Sequence, residues 1–368
     1  MVRVSPRARF WPHIEVYLSR VLITGGAGFI GSNLASRLLE QGHEVAILDN
    51  LARAGSASNL ECLRARYGVD AFRFTNAGVD DLEALLRAAE GVERVYHLAG
   101  QVTVTDSVAD PLRDFSDNAL GTIHALEAAR LTASNPVFIY SSTNKVYGSL
   151  EDIEFEEEPT RYRFRDLPLG VPETRPVDFH SPYGCSKGSG DQYTRDYFRI
   201  YGLRTIVFRQ SCIYGPGQFG LEGQGWLSWL MMASLWGWPI TICGNGKQVR
   251  DILHVDDLLE AYDAAVNRID EAAGQVFNVG GGPGNTISVW VEYGRMIEGL
   301  VGHQPDVSFA KWRPGDQRIY VSGIQKAGQM LGWKPRISVE EGVCRQFEWI
   351  KSHESVIRQA LAEKRPDH

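Results

Sequence analysis

From Val21 onward, short apolar runs alternate with amphipathic helical patterns along the chain. The runs "RVLIT", "EVAILD", "AFRFT", "RVYHLAG" and "PVFIYSS" have the length and the side chains of buried strands. Between them stand segments such as "FIGSNLASRLLEQG" and "TIHALEAARL", whose apolar spacing is helical. Alternation of this kind is typical of a parallel sheet with helices on both faces. The sequence therefore predicts an α/β fold with a doubly wound parallel sheet.

The pattern changes after residue 214, where the chain becomes richer in Gly, Pro and Trp. There "ITICGNG" and "QVFNVGGG" read as isolated strands. We expect residues 21–214 to form mainly the sheet domain and residues 215–368 mainly a smaller C-terminal α/β lobe, with the chain partly interleaved between the two. Residues 1–20 are basic and contain two prolines, without the apolar core of a signal peptide, so they are predicted to be an N-terminal extension.

Composition excludes several classes of protein. The 368 residues are 43% hydrophobic and 23% charged, and the net charge of −7 provides no basic surface for nucleic acid. The longest apolar runs are too short to cross a bilayer, so no membrane partner is expected. The five cysteines are odd in number and scattered without a CxxC pair. This pattern suits a reducing cytoplasm and argues against a disulfide framework or a structural zinc site.

The segment "TGGAGFIG" lies between the first predicted strand and the first predicted helix. Its Gly25, Gly28 and Gly31 have the GxxGxxG spacing. Glycine permits a tight turn and lets a pyrophosphate approach the backbone, and the following helix N-terminus attracts the anion. The strand and helix context therefore predicts a dinucleotide-binding turn.

An acidic residue, Asp49, closes the second predicted strand. Its carboxylate can accept hydrogen bonds from the adenosine ribose hydroxyls and would repel a 2′-phosphate, which favours NAD over NADP. Arg53 leaves NADP open, because an arginine four residues further on can hold that phosphate.

The segment "HSPYGCSKG" places Tyr183 and Lys187 four residues apart. On a helix started by Pro182, this spacing puts both side chains on one face. A nearby ammonium favours the phenolate, so we expect Lys187 to lower the pKa of Tyr183 and make it usable as an acid or base. The upstream hydroxyl of Thr143 adds to this predicted site.

Over roughly residues 21–349 the chain resembles the extended short-chain dehydrogenases/reductases that act on nucleotide sugars. The resemblance implies a Rossmann fold with bound NAD and a catalytic triad of Thr143, Tyr183 and Lys187. The implied cofactor-binding residues are Gly25, Gly28, Phe29, Ile30, Gly31, Asp49, Asn50, Val79, Leu98, Ala99, Gly100, Asn118, Ser141, Tyr183, Lys187, Gln210 and Ile213. The implied substrate-binding residues are Gln101, Asn144, Cys212, Arg250, Arg313 and Asp316.

Two motifs of the C-terminal half belong to the same resemblance. In "GNGKQVRD", Arg250 would hold the nucleotide diphosphate, and in "RPGD", Arg313 and Asp316 would contact phosphate and ribose. The histidine and aspartates of "HVDD" read as a strand end followed by a helix capped by Asp256 or Asp257. We therefore expect no metal site there.

The segment "YSSTNKVYG" distinguishes among the reactions of the family. Its dehydratases carry an Asp-Glu pair directly after the threonine, whereas this chain has Asn144 and Lys145. Its decarboxylating members place a glutamate where Lys145 stands. Both reactions therefore lose support. An epimerase needs only the transfer of a hydride and a hydroxyl proton at one carbon, so the resemblance implies an epimerase.

Four strings, "HLAGQV", "YSSTNKVYG", "DFHSPYGCSKG" and "GNGKQVRD", resemble those of the CDP-paratose 2-epimerases, also called CDP-tyvelose epimerases. This implies inversion of carbon 2 in a CDP-hexose, with a role in polysaccharide biosynthesis. The alternatives are a UDP-hexose 4-epimerase or another nucleotide-sugar epimerase, and a non-catalytic dinucleotide sensor. The resemblance also implies a homodimer built on a four-helix interface.

The chain departs from the family at two positions. The family shows a Gly-Asp-Ile/Val run after the third strand, whose aspartate contacts the adenine amino group, and this chain has Gly78 in its place. Gln210 stands where an aromatic residue or a histidine is expected. The first departure puts the adenine contact in question, and the second concerns the shape of the pocket.

Overall fold

A seven-stranded parallel sheet organises the chain, of which the computed structural model describes residues 18–312 and 317–362. Its strands in spatial order are β13 (Val276–Val279), β8 (Thr205–Gln210), β5 (Val137–Thr143), β4 (Arg94–His97), β1 (Arg20–Thr24), β2 (Glu44–Leu48) and β3 (Phe72–Thr75). Every neighbouring pair in this sheet is parallel. The predicted doubly wound α/β fold is therefore confirmed.

Helices cover both faces of this sheet. On β1, Val21 and Ile23 belong to one apolar cluster and Leu22 to another, which is why the strand is apolar without alternation. The helices on the first face are α1 (Phe29–Glu40), α2 (Ser56–Tyr67), α9 (Val255–Asn267), α10 (Ile269–Ala272) and α12 (Gln325–Leu331). The helices on the second face are α3 (Leu82–Ala88), α6 (Gly121–Leu131) and α7 (Ser181–Tyr201).

Short elements connect β4 to α6. They are α4 (Val104–Ala109), α5 (Pro111–Asp114) and a π-helix (Phe115–Leu120) that runs directly into α6. A 3₁₀ turn (Asn144–Tyr147) follows β5, and its N-cap is Thr143, whose hydroxyl accepts a hydrogen bond from the Lys145 amide. Both irregular segments lie next to predicted site residues.

The C-terminal half contains a further apolar cluster, packed among α8 (Trp226–Trp236), α11 (Tyr293–Val301), α13 (Val339–Ser352) and α14 (Glu354–Ala362). Within the described residues, four small sheets lie outside the large one. They pair β10 (Ile240–Cys243) with β15 (Val307–Ala310), β11 (Val249–Asp251) with β14 (Thr286–Ser288) and β16 (Ile319–Tyr320), β12 (Leu253–His254) with β9 (Ile213–Tyr214), and β6 (Phe155–Glu157) with β7 (Tyr162–Phe164).

The prediction of isolated strands in the C-terminal half was wrong. "QVFNVGGG" contributes β13, which pairs with β8 at the edge of the large sheet, and "ITICGNG" contributes β10, which pairs with β15. The division of the chain near residue 214 stays a prediction. The predicted extension, residues 1–20, lies outside the described residues up to residue 17, and Arg20 already pairs with Glu44 in the large sheet.

The order of the strands determines where a ligand can bind. Strand β1 lies between β2 and β4, so the connections leave it in opposite directions and open a crevice at the carboxyl ends of these strands. The predicted glycine turn follows β1 at this edge. Among the residues that the structure describes, no helix combines the length and apolarity needed to span a bilayer.

Candidate functional site

The glycine turn after β1 brings the backbone of two strands close together. Gly25 has a φ of +70°, and a Cβ built on it would lie 2.7 Å from the Ala99 amide nitrogen, at the end of β4. A Cβ on Gly31 would overlap the carbonyl oxygen of Gly25. Both positions therefore require glycine. Gly28 is the N-cap of α1, so the amides of Phe29 and Ile30 begin the first turn of that helix at the crevice.

Asp49 lies at the carboxyl end of β2 and is buried. Its Oδ2 accepts a hydrogen bond from the Ala27 amide at 3.0 Å, and its Oδ1 accepts one from Leu51 at 2.8 Å. Burial raises the pKa of Asp49, and these backbone amides oppose the shift. The carboxylate thus fixes the glycine turn to the loop after β2, where Asn50 lies exposed and bonds the Ala52 amide.

Arg53 extends from that loop to another part of the chain. Its Nη2 donates to Oε1 of Gln224 at 2.7 Å. Burial lowers the pKa of Arg53, while the charges of Asp106 and Tyr183 act in the opposite direction. The guanidinium is therefore within electrostatic reach of the predicted catalytic tyrosine.

A segment comprising residues 216–224 lies against the N-terminal halves of α1 and α2. The Nδ2 group of Asn33 donates to the Pro216 carbonyl at 2.8 Å, and that of Asn59 donates to the Gly217 carbonyl at 3.2 Å. A Cβ on Gly55, whose φ is +83°, would overlap the ring of Phe219. Together with the bond to Arg53, these contacts attach the 216–224 segment beside the glycine turn.

At the end of β3, Gly78 leaves space that a neighbouring carboxylate fills. A Cβ on Gly78 would overlap Oδ1 of Asp80, and Nδ2 of Asn50 is 3.5 Å from the same point. Asp80 therefore occupies the place of a side chain at position 78. Val79, between them, is buried, and its carbonyl accepts a hydrogen bond from His124.

The loop after β4 faces the π-helix. Leu98 and Ala99 hold their amides against Thr24 of β1. Gly100 has a φ of +154°, and a Cβ on it would overlap Oδ1 of Asn118. This Oδ1 is buried and has no hydrogen-bond partner among the described residues. It is an acceptor available to a molecule bound in the crevice.

The carboxyl end of β5 presents the hydroxyl-bearing residues. Ser141 is half-buried, and Thr143 is buried, with its Oγ1 donating to Oδ1 of Asn144 at 3.3 Å and accepting from the Lys145 amide at 3.2 Å. The Nζ of Lys145 lies 3.4 Å from Oε1 of Gln317. No carboxylate follows Thr143, and an amide and an amine take the next two positions.

Helix α7 brings Tyr183 and Lys187 onto one face next to β5, and its first turn contains Pro182, as predicted. The Nζ of Lys187 is buried 4.4 Å above the ring centroid of Tyr140. Burial lowers the pKa of Lys187 to about 7, and the charges of Asp114 and Asp191 oppose that shift. Lys187 is therefore close to the point of losing its proton near neutral pH.

The expected effect of Lys187 on Tyr183 was wrong. Burial raises the pKa of Tyr183, and the groups that lower it are the Thr143 hydroxyl and the Arg53 guanidinium. The physical reason is that Lys187 is itself desolvated and is packed on Tyr140. Thr143 and Tyr183 are thus brought together, as the triad requires, while Lys187 lies behind them.

Several other predicted site residues form hydrogen bonds within the protein. The amide of Gln101 bonds Thr103, and Gln210 donates to the hydroxyl of Tyr262 at 2.6 Å. Arg250, on β11, donates to the Val249 carbonyl. Cys212 has a φ of +33° and precedes the half-buried Ile213. Arg313 and Asp316 lie outside the described residues, so their predicted contacts stay predictions.

The "HVDD" segment begins α9, but its capping differs from the prediction. The N-cap is His254, whose Nδ1 accepts from the Asp256 amide, while the Asp257 carboxylate accepts from the amides of Arg336 and Ile337. The aspartates are used by a distant segment, so the predicted aspartate cap was wrong. Within residues 18–312 and 317–362, no cluster of three or more His, Cys, Asp or Glu could hold a metal ion.

Sequence reasoning missed two residues that contact the predicted site, Asp114 and Ser186. Asp114 is 1% exposed and bonds Ser186, which is adjacent to Lys187 in the chain, and Asn118. Nothing in "PLRDFSDN" distinguishes this aspartate from a surface one. Its burial depends on how α5 and the π-helix pack against α7.

The crevice has the features that a bound dinucleotide needs. Gly25 and Gly31 form a cradle that a Cβ would fill, and within the described part of the chain no side chain caps the first turn of α1. Asn118 adds a buried acceptor without a partner. The residues present therefore fit a pyrophosphate at the helix N-terminus and a polar group near Gly100.

Comparisons with known proteins agree with this geometry. Residues 21–280 match the NAD dependent epimerase/dehydratase family. The chain is 41% identical over 340 residues to the CDP-paratose 2-epimerase of Salmonella typhi, covering 90% of this chain and 99% of that protein. It is 34% identical to the UDP-glucose 4-epimerase of Mycolicibacterium smegmatis, covering 90% of this chain and 99% of that protein.

A solved structure gives the same result. The UDP-glucose 4-epimerase of Thermus thermophilus, in complex with NAD, superposes with a TM-score of 0.74 at 31% identity, covering 90% of this chain and 99% of that one. These findings identify the cofactor as NAD. From the strand order, the crevice and these similarities together, the chain belongs to the NAD dependent epimerase/dehydratase family.

Proposed function

We propose that the protein is a nucleotide-sugar epimerase that inverts carbon 2 of a CDP-hexose, converting CDP-paratose to CDP-tyvelose through a transient keto sugar. The 41% identity over 90% of this chain to the CDP-paratose 2-epimerase of Salmonella typhi supports the choice of substrate. The observation that carries the choice of reaction is the pair Asn144 and Lys145 after Thr143. Elimination of water needs a carboxylic acid and a carboxylate at this place, and this chain has neither.

The proposed chemistry begins with a hydroxyl group of the sugar at the ends of β5 and α7. When bound, NAD would supply a reversible hydride acceptor for this carbon. Tyr183 takes the hydroxyl proton and later gives it back, and Thr143 hydrogen-bonds the reacting oxygen. The proximity of the Thr143 hydroxyl lowers the pKa of Tyr183 against the effect of burial, which helps this proton transfer.

Lys187 acts from behind the tyrosine. Its ammonium lies on the ring of Tyr140, and a pKa of about 7 lets it carry or release a proton at neutral pH. We assign Asn144 to the sugar, Arg250 and Arg313 to the nucleotide diphosphate, and Asp316 to the ribose of the nucleotide. In this proposal residues 21–214 mainly hold NAD and residues 215–368 mainly hold the nucleotide, which lets the keto sugar turn while its nucleotide stays fixed.

The rival function is inversion at carbon 4 of a UDP-hexose. It is favoured by the similarity to UDP-glucose 4-epimerases in sequence and in solved structures. Both reactions use the same triad, so the site geometry alone does not separate them. A non-catalytic dinucleotide sensor has weaker support, because Thr143, Tyr183 and Lys187 are all present and close together.

One isotope experiment separates these functions. CDP-paratose deuterated at carbon 2 is incubated with the enzyme, and the product is analysed by NMR. We expect CDP-tyvelose that retains the deuterium, and no uptake of deuterium when unlabelled substrate reacts in heavy water, because the reaction forms no carbanion. Solvent deuterium at carbon 2 would contradict hydride return. Inversion of carbon 4 in UDP-hexoses, with no change in CDP-paratose, would establish the rival.

Variants test the triad. Tyr183→Phe removes the group that carries the proton, so we expect no turnover from a folded, NAD-containing protein. Thr143→Ala removes one hydrogen bond to the reacting oxygen and leaves the tyrosine, so we expect a loss of about 10² to 10³ in kcat. Full activity of Thr143→Ala would contradict the triad assignment, and turnover by Tyr183→Phe would contradict the role of Tyr183 as the proton carrier.

We further propose a cytoplasmic homodimer. Helices α4, α5, the π-helix and α7 pack together and expose apolar side chains, including Leu112 at 82% and Phe115 at 57%. An apolar face of this kind on neighbouring helices supports a four-helix interface with a second copy. Light scattering tests the interface: we expect a dimer for the wild type and a monomer for Leu112→Glu, and a monomeric wild type would contradict the proposal.

The five cysteines, all in described residues, are free, which supports the proposed reducing, cytoplasmic compartment.

A further inference from the structure

A buried carboxylate that the proposed mechanism does not use joins the two halves of the site. Asp114 ends α5, directly before the π-helix, and is 1% exposed. Its Oδ1 accepts a hydrogen bond from Nδ2 of Asn118 at 3.0 Å, and its Oδ2 accepts one from Oγ of Ser186 at 2.6 Å. One oxygen therefore holds the π-helix, and the other holds α7.

Each of these two contacts leads to a different part of the site. On the π-helix side, the bond fixes the amide of Asn118, whose Oδ1 faces Gly100 and has no partner among the described residues. On the α7 side, Ser186 precedes Lys187, and its Oγ is also 3.2 Å from the Tyr183 carbonyl. A single carboxylate thus connects the acceptor at the cofactor crevice with the helix that carries the proposed acid and base.

We propose that Asp114 is a positioning residue, which sets the place of Asn118 toward the cofactor and, through Ser186, the place of Tyr183 and Lys187 toward the sugar. The part that concerns Tyr183 and Lys187 rests on the proposed function. The part that concerns Asn118 rests only on NAD binding. The residue does not itself touch a reacting atom.

The charge of Asp114 gives the role a signature beyond packing. A carboxylate stabilises a nearby ammonium and disfavours a nearby phenolate, so it raises the pKa of Lys187 and that of Tyr183. The titratable and charged groups that face Lys187 come from several elements. They are Asp114 of α5, His97 of β4, Tyr140 of β5 and Asp191 of α7. Burial holds the pKa of His97 at about 3, so it stays neutral.

The test replaces Asp114 with asparagine. The amide has one acceptor oxygen in place of two and carries no charge, so it cannot accept from Asn118 and Ser186 through separate oxygens as the carboxylate does. We expect the exchange of bound NAD for isotopically labelled NAD, followed on the holoenzyme by mass spectrometry, to become about tenfold faster. We also expect both limbs of the pH profile of kcat to move toward acid by about one pH unit, because both pKa values fall when the charge is removed.

Three further variants sharpen the result. Asp117→Asn is the matched control, because Asp117 lies in the π-helix that directly follows Asp114 and pairs with Arg113 instead. It is expected to keep the wild-type exchange rate and pH profile. Asp114→Glu keeps the charge and is expected to restore the pH limbs. Ser186→Ala keeps the carboxylate, so it is expected to lower kcat without moving the limbs, and it serves if Asp114→Asn does not fold.

The outcomes separate the inference from the proposed function. Wild-type limbs and a wild-type NAD exchange rate in folded Asp114→Asn would overturn the inference. Unchanged kcat in Ser186→Ala would overturn the contact through α7. If the wild-type enzyme epimerises no CDP-hexose, the proposed function fails, and the NAD exchange rate still decides the role of Asp114 toward Asn118.

Discussion

The buried ion pair between Asp191 of α7 and Arg209 of β8 permits a quantitative prediction. The guanidinium meets the carboxylate through two bonds, Nε to Oδ2 at 2.8 Å and Nη2 to Oδ1 at 3.0 Å, and the side chains are 3% and 0% exposed. Burial would lower the pKa of Arg209, but its bonds to Asp191 raise it above the ordinary value. Ser142 of β5 donates to the same carboxylate at 2.9 Å. Asp191 therefore joins α7 to both β5 and β8.

Asp191→Asn should destabilise the protein strongly. It removes the charge and leaves Arg209 buried without a counter-ion, which costs about 3 to 5 kcal/mol of unfolding free energy. The assay is urea unfolding followed by circular dichroism at saturating NAD, with the slope checked against wild type. The matched control is Asp263→Asn, which breaks the pair with Arg37, where the side chains are 31% and 23% exposed. There we expect a loss of at most about 1 kcal/mol.

A double variant tests the cause. Asp191→Leu with Arg209→Met removes both charges, so no uncompensated ion remains, and much of the lost stability should return. An unfolding free energy of Asp191→Asn within about 1 kcal/mol of wild type would refute the reasoning, because it would place Arg209 in contact with water. A double variant that is no more stable than Asp191→Asn would also refute it, since packing would then outweigh charge.

Three other perturbations follow from the site. Gly78→Asp would place a second carboxylate against that of Asp80, so we expect weaker NAD binding by calorimetry, and tighter binding would contradict the overlap seen there. Burial lowers the pKa of Lys187 from 10.5 to about 7, so between these pH values the folded protein binds fewer protons at Lys187 than the unfolded chain does. Burying the charged lysine therefore lowers the free energy of unfolding fully below pH 7, and this loss disappears by pH 10.5. Lys187→Met should therefore reduce the rise of stability over that range by up to about 1.4 kcal/mol per pH unit in urea titrations, and an unchanged slope would exclude a depressed pKa. Arg53→Ala removes the bond to Gln224 and should make NAD loss from the purified holoenzyme roughly tenfold faster, whereas an unchanged rate would mean that this bond does not retain the cofactor.

The sheet and the glycine turn could be predicted from sequence because their causes are local. A parallel strand covered on both faces must be apolar throughout, as β1 is, and that pattern is visible within five residues. Gly25 and Gly31 are required by backbone overlap within one turn. The spacing of Tyr183 and Lys187 likewise depends only on the geometry of one helix.

The remainder depends on contacts between distant parts of the chain. The segment that forms β13 looked isolated because its partner, β8, lies far away in sequence. His254 caps α9, and Asp257 within the first turn is engaged by the distant amides of Arg336 and Ile337. The raised pKa of Tyr183 follows from desolvation, and the burial of Asp114 follows from the packing of α7, neither of which has a local pattern. Motifs indicate candidate site residues, but they do not indicate the electrostatics of those residues.

The attachment of the 216–224 segment has a consequence for how the enzyme fails. The segment is contacted beside the glycine turn by Asn33, Asn59, Gly55 and Arg53, so we expect its opening to require several contacts to break together. An enzyme that exchanges its NAD more slowly than it turns over must return the cofactor to the oxidised form at the end of every cycle. In the proposed reaction, a molecule that released its keto sugar halfway would stay inactive until its reduced cofactor is exchanged. The number of turnovers per enzyme molecule would then depend on how tightly the nucleotide part of the substrate is bound. It would depend little on the ratio of NAD to NADH in solution.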